Sequence, residues 1–516
     1  MTPSTAVTSS SGVYNVRYYG AHGDGETLDT AAIQSAIDAC HAGNGGMVLF
    51  PHGTYLTGTL YLKSQVTLHF EPRATLLGST DIADYALDTD GIRYAGESYM
   101  DRCLIFSRGA EQIGLSGLGV IDGQGQRENF PNEDSLDRPM MLRLIDCQRV
   151  RLRDLTLRNA AAWCTAFIGC RDVHVDGVTI ENRANLNGDG LDFDGCQDVF
   201  VSNCRIDTSD DSICLQTSEP DRPCQNIVIT NCVLSSHWAG MRFGLLSCGD
   251  IRDVTVSNCV FHDMVGSGLK IQMCEGAILE NMTFANLVMR NVPRPIFCTF
   301  NSFRFRRDAD LTLPPMQAFR NLQFSHIRAY AGPESAESYK SFIAFIGLPS
   351  YDIQNITLSD IHFTAPGGGT LAQGARRNVP ELTGKRPEHY EFGETLPSYG
   401  IYARHVKGLV LDNITLDYVR PELRPALICD DVEDLEMDSV RARGHAMGNA
   451  LLRLIDVRRA LIKGCRPTCA VPVFCELENR CRDIALLNND LRLAKKVAKR
   501  IGVAKKHLLR LANLCE

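Results

Sequence analysis

Between Asn185 and Ser218 the sequence reads NLNGDGLDFDGCQDVFVSNCRIDTSDDSICLQTS, with Asp189 in the first of two similar segments and Asp210 and Asp211 side by side in the second. Carboxylates grouped in this way allow three kinds of chemistry. As turn residues they would bond their own backbone and face solvent. As hard oxygen donors they would hold a cation such as calcium. As an acid and a base they would cleave a glycosidic bond, one carboxyl protonating the leaving oxygen while a carboxylate activates water. Two or three carboxylates in one site cannot all ionise without cost, so one is expected to keep a proton while its neighbours stay charged. A glycosidase needs that division of labour.

The acids must be positioned by the elements around them. Adjacent residues of a regular strand face opposite ways, so Asp210 and Asp211 can share a site only at a corner or bulge, which the preceding Asp207-Thr208-Ser209 permits. Four matching pentads surround or follow them: GLDFD (190–194), SICLQ (212–216), GMRFG (240–244) and GLKIQ (268–272). Strand alternation sends Leu191, Phe193, Ile213, Leu215, Met241, Phe243, Leu269 and Ile271 inward. It leaves Asp192, Cys214, Arg242 and Lys270 on one outward line, with Asp194, Gln216, Gly244 and Gln272 on the next. These lines are expected to form a groove wall, acids at one end and two cations beyond.

The pentads belong to a longer repeat. RDLTLRN at 153, DGVTIEN at 176, SNCRIDT at 202, TNCVLSS at 230, SNCVFHD at 257 and ENMTFAN at 280 are variants of one unit, spaced by 23, 26, 28, 27 and 23 residues. Later copies are RNLQFSH at 320, QNITLSD at 354 and DNITLDY at 412. Each is a short β-branched strand bounded by Asn, Asp and Gly, and no segment between them has a helical period. Stacking such units buries their apolar residues in one column, so an all-β, right-handed parallel β-helix is expected. The recurring Asn and Asp should stack in turns, where they tolerate left-handed backbone.

A solenoid needs covered ends. Asp29 or Thr30 can N-cap a short helix with Ile33, Ala36, Ile37 and Cys40 on its apolar face and Gly43 at its end. At the other end LRLAKKVAKRIGVAKKHLLRLANL (491–514) spaces Leu493, Val497, Ile501 and Leu508 about one helical turn apart, with lysines opposite. The expected organisation is one catalytic β-helix domain over 1–485, with an N-terminal cap at 13–85, core coils at 100–470 and a long loop at 365–400. A basic amphipathic tail, 486–516, would act as a cap or as the contact of a homo-oligomer.

Bulk properties narrow the function. A formal charge of −8 over 516 residues offers no bulk attraction to nucleic acid or to anionic lipid, and no apolar run reaches membrane-spanning length. The N-terminus shows no basic region followed by an apolar one, and the 20 cysteines are scattered without CxxC pairs, so a reducing cytoplasm is expected.

At these residues the sequence resembles glycoside hydrolase family 28, the polygalacturonases, over roughly residues 13 to 485, and with them the pectin-lyase-like solenoid fold. GLGVIDGQG at 117–125 resembles the family's IDGqG turn, NGDGLD its NTDGiD motif and SDDSICL its GDDCIa motif. The resemblance implies that Asp210 is the general acid, that Asp189 and Asp211 hold and activate water for an inverting displacement, and that no metal or cofactor takes part. An inverting pair should stand roughly 6.5–9.5 Å apart. Two motifs depart from the pattern. The GHG histidine has no counterpart at its register, although His237 lies seven residues before Gly244. The RIK motif, which grips the galacturonate carboxylate, reads KIQ, with Lys270 for Arg and Gln272 for Lys; Arg242 is the nearest compensating charge. Asp192, His237, Arg242, Lys270, Gln272 and Trp163, the last able to stack on a sugar ring, are therefore the candidate substrate contacts. Arg304, Arg306 and Arg307 could meet an acidic sugar. The loop, whose RPEHYEFG stretch resembles bacterial members, is expected to fold over the groove and favour exo action. The implied activity is inverting, exo-acting hydrolysis of pectin-derived oligosaccharides of galacturonate or rhamnogalacturonan type. The rival readings are hydrolysis of a non-galacturonate glycoside, a polysaccharide lyase using Arg242 or Lys270 beside calcium, and a non-catalytic carbohydrate-binding β-helix.

Overall fold

The structure, a computed structural model, describes residues 12–87, 89, 101–131, 138–303, 315–335, 340–386 and 388–515. The chain divides into two compact units, Met1–Val233 and Leu234–Glu516. Each is a stack of coils in a right-handed parallel β-helix, and the strands within each pair in parallel. Among the described residues no helix is long and apolar enough to cross a membrane.

In the first unit the helix Thr30–Ala42 buries Ile33, Ala36, Ile37 and Cys40, as their spacing predicts. Asp29 precedes it without a side-chain cap bond; its carboxylate instead accepts the amides of His22 and Gly23, at 2.7 and 2.9 Å. The core is a column in strict register. Ile113 pairs with Val150, Val150 with Val173, Val173 with Val199 and Val199 with Ile227, all of them buried. The second unit continues the device from Val254 through Met282, Leu322, Ile356 and Leu409 to Leu435. Asparagines supply the turns as expected. Asn281, Asn321 and Asn355 have φ near +57° and bond in a ladder, Asn281 to Asp253 at 3.0 Å, Asn321 to Asn281 at 3.1 Å and Asn355 to Asn321 at 3.0 Å. Each side-chain amide is thereby satisfied at the cost of a left-handed backbone that Asn tolerates.

The C-terminal expectation is corrected. Residue 485 is no boundary, and the tail is not helical. Ala498–Ile501 pairs with Cys475–Glu478, and Leu508–Leu511 pairs with Arg482–Leu487, so 486–511 forms one more coil.

The outward lines are corrected too. Asp192, Asp194, Cys214, Gln216, Lys270 and Gln272 are all buried, so they are not an open wall. In the second unit the reason is the long loop. From Lys270 the outward line runs in register through Phe297, Ala344, Tyr402 and Ile428. Val379, Leu382, Phe392 and Leu396 of the loop pack on those residues in a satellite core. Arg404 fixes the loop's path by donating to the carbonyls of Val379 and Pro380, at 2.8 and 2.7 Å. A short helix, Leu371–Ala375, opens the loop with a capping box between Thr370 and Gln373.

Candidate functional site

In the first unit the strand Arg205–Thr208 ends at a corner before the strand Ile213–Thr217 begins. Asp210 and Asp211 occupy that corner, as their adjacency requires. Thr208 ties it by donating its hydroxyl to the carbonyl of Asp210 at 2.7 Å, and lies 3.1 Å from the hydroxyl of Ser212. The Asp211 amide donates to Oδ1 of Asp210 at 3.0 Å. Asp189 stands on the preceding coil, and one carboxylate oxygen from each of Asp189, Asp210 and Asp211 lies within 4.8 Å of the others. Asp189 and Asp211 are buried and Asp210 is half-buried.

The preceding coil reaches this corner because its backbone is bare. A Cβ on Gly188 would stand 2.5 Å from Ser209 Oγ and 2.6 Å from the carbonyl of Asn182, and one on Gly190 would stand 2.4 Å from the carbonyl of Ser212. Both glycines of NGDG are required for close approach. Buried amides hold the segment. Asn182 donates to the carbonyls of Ala162 and Asp189, at 3.0 and 3.1 Å, and Asn185 to those of Gly125 and Phe130, at 3.0 and 2.9 Å. Buried Arg138 donates to Leu186 O at 2.6 Å and to Asn187 Oδ1 at 2.7 Å. These supporting residues were not singled out from sequence; Asn185, two residues before the NGDG segment, was the one visible signal.

Three converging carboxylates can share one proton among them, as acid–base cleavage needs. Their oxygens are also close enough to act together on a hard cation. Two other residues of this unit are placed differently from expectation. Trp163 is packed among Phe106, Met140, Ile145, Ala166 and Ile168, so its ring belongs to an apolar cluster rather than standing open to a sugar. Asp192 is buried in register with Ala166 and Cys214, close enough to the Cys164 thiol to add to the upward shift that burial gives it.

The second unit holds the remaining candidates. Arg242 and Lys270 are register neighbours, Arg242 half-buried and Lys270 buried. Gln272 is buried and His237 exposed. Lys270 Nζ lies 2.8 Å from each carboxylate oxygen of Glu388, a residue of the long loop, and 4.5 Å from the ring centroid of Trp238. Neither Glu388 nor Trp238 was among the sequence candidates. Arg304, Arg306 and Arg307 lie outside the described residues.

With this geometry established, comparison with known proteins gives a consistent result. The model of glycosyl hydrolases family 28 matches residues 40–306, a span that contains Asp189, Asp210, Asp211 and Lys270. The chain is 27% identical over 348 residues to an exo-poly-alpha-D-galacturonosidase of Dickeya chrysanthemi, covering 57% of this chain and 58% of that protein. It therefore spans less than two thirds of that relative. It is 26% identical over 363 residues to a probable polygalacturonase of Vitis vinifera, covering 66% of this chain and 72% of that one. Among solved structures it is similar to a hyperthermoactive exopolygalacturonase of Thermotoga maritima, with a TM-score of 0.59 and 20% identity over 78% of this chain and 91% of the other. At that identity the likeness shows the fold.

Proposed function

The chain belongs to glycosyl hydrolases family 28, and from that premise we propose that it is a glycoside hydrolase that cleaves pectin-derived oligosaccharides, of galacturonate or rhamnogalacturonan type, from one chain end and with inversion. The observation that carries the reading is the trio of carboxylates, each with an oxygen within 4.8 Å of the others. Asp210, the least buried of the three, protonates the leaving glycosidic oxygen, because it can take its proton back from solvent. Asp189 and Asp211, both buried, hold a water between them and accept its proton as it attacks the anomeric carbon. The names of the relatives support galacturonan as substrate class and exo action as the mode.

One observation favours a second reading of the stereochemistry. Oxygens within 4.8 Å are closer than the roughly 6.5–9.5 Å usual between an inverting pair and nearer to the ~5–5.5 Å of retaining enzymes, where a carboxylate attacks the sugar directly. Proton NMR of the first-formed anomer decides between them: the inverted anomer supports the water-holding pair, and the retained anomer makes Asp189 or Asp211 a nucleophile. Asp210→Asn should lower kcat by about 10²–10⁴-fold while leaving sugar binding intact. Full activity in that variant would remove Asp210 from the mechanism, and an unsaturated uronide product would replace hydrolysis by elimination. The reading also takes the protein to work in a reducing cytoplasm, supported by its twenty free thiols, all buried except Cys469 and Cys515. Fractionation of the source cell tests that placement.

A further inference from the structure

The cation that the sequence offers to a sugar carboxylate is already held by a carboxylate of the chain itself. Lys270 Nζ sits 2.8 Å from both Oε1 and Oε2 of Glu388, and the two side chains are each 2% exposed. The face of Trp238 covers the ammonium at 4.5 Å, and His389 packs on the indole with ring centroids 5.9 Å apart. Burial, and then the charges of Arg294, Lys270 and Lys340, hold the His389 pKa down to about 2, so this ring adds no second cation beside Glu388. We propose that Glu388 is a specificity-determining residue that neutralises Lys270, so that the sugar unit bound beside Trp238 carries no free carboxylate. The inference rests on the glycosidase reading above and names the class of sugar at this coil: a neutral glycosyl unit or an esterified uronate.

A free uronate drawn to Lys270 would bring a second carboxylate against an ammonium whose first is already in contact, and the two anions would repel in a site that water barely reaches. Expelling Glu388 instead would leave a buried carboxylate without its cation. The loop resists that movement, because Arg404 clamps it at Val379 and Pro380 and Phe392 anchors it in the satellite core. A neutral sugar meets no such opposition. Its apolar ring face suits the half-buried indole of Trp238.

The test compares the full-length protein with its Glu388→Gln variant on three probes: trigalacturonate, its methyl ester and a rhamnogalacturonan oligosaccharide. Wild type should favour the esterified or rhamnose-bearing probe over the free acid by about tenfold or more in kcat/KM. Glu388→Gln, which returns the Lys270 charge, should raise kcat/KM on the free acid by about tenfold, chiefly through KM, and change the methyl ester and the rhamnose-bearing probe little. The double variant Lys270→Met/Glu388→Leu removes both charges and should keep the neutral preference; it decides the matter if the single variant does not fold. Wild-type preference for the free acid, or a Glu388→Gln loss shared equally by all three probes, would overturn the inference while leaving hydrolysis in place. Cleavage of none of the probes would sink the hydrolase reading, and this inference with it.

Discussion

Replacing Gly190 by Ala should damage catalysis without touching a single carboxylate. Gly190 precedes the strand Leu191–Asp194, and its amide donates to the carbonyl of Asp211 at 3.0 Å. A Cβ added there would stand 2.4 Å from Ser212 O and 2.8 Å from Ile206 Cγ2. The first of these is backbone and cannot rotate away, so the coil carrying Ser212 must retreat by roughly 1 Å to restore ordinary contact, the scale of misplacement that costs about 10²-fold in rate. Asp211 is the neighbour of Ser212 and moves with it, while Asp189, joined to Gly190, stays on the opposing coil. The expected result is a kcat lowered about 100-fold, KM changed by less than about threefold, and overpacking that destabilises by about 1–3 kcal/mol. Steady-state kinetics below the melting temperature of the variant, with a thermal melt on the same sample, separate misplacement from unfolding. A variant that is folded and has wild-type kcat would refute the claim that inter-coil spacing positions the acids.

Two further outcomes concern the loop. Phe392 is 1% exposed with its ring 6.1 Å from that of Phe297, so Phe392→Ala should cost about 3–5 kcal/mol of local packing. Because the satellite core lies outside the main column, that loss should appear as faster proteolysis within 376–398 while the melting of the coils shifts little; unchanged proteolysis would contradict it. His405 bridges Asp431 at 2.8 Å and Glu381 of the loop at 3.3 Å. Burial pulls the His405 pKa down, but its bonds to Glu381 and Asp431 outweigh burial and leave it raised; the same contact outweighs the burial of Glu381 and leaves that carboxyl lowered. A raised histidine stabilises fully below its ordinary value and loses the effect as pH rises through the folded value. A lowered carboxylate stabilises above its ordinary value and loses the effect as pH falls through the folded one. Amide-exchange protection of the loop near Glu381, corrected for intrinsic rates, should therefore be greatest in mildly acidic solution and decline on the alkaline side, and His405→Gln should abolish that decline. Protection independent of pH in the wild type would count against the clamp.

Much of this architecture was legible because one rule repeats. Alternation alone sends Leu191, Phe193, Ile213 and Leu215 inward, and all four are buried. The adjacency of Asp210 and Asp211 demands a corner after Ser209, and a bend stands there. The tail departs from the helical expectation for a physical reason. In coils built from four-residue strands and short turns, apolar residues four apart, such as Leu493, Val497 and Ile501, arise without any helix. Only pairing distinguishes the two, and the pairing of Ala498–Ile501 with Cys475–Glu478 is a tertiary fact.

The outward face marks where local reasoning ends. Alternation says correctly that Lys270 points away from the core, but pointing outward and meeting solvent are different properties. What separates them here is Glu388, 118 residues along the chain, brought over by a loop with no period of its own. The loop holds its place because the coils beneath it carry Phe297, Tyr402 and Ile428 at positions where a solvated sheet would carry polar residues, and apolar area left there would oppose folding until something covered it. That compositional anomaly was present in IFCTF, IYARH and LICDD. An outward line that turns apolar for several coils requires a cover, and the long segment between Gly367 and Ile401 supplies it. The candidate residues of the two units therefore differ in legibility. The acids are set by contacts between adjacent coils, which register predicts. The partner of Lys270 is set by a contact that register does not contain.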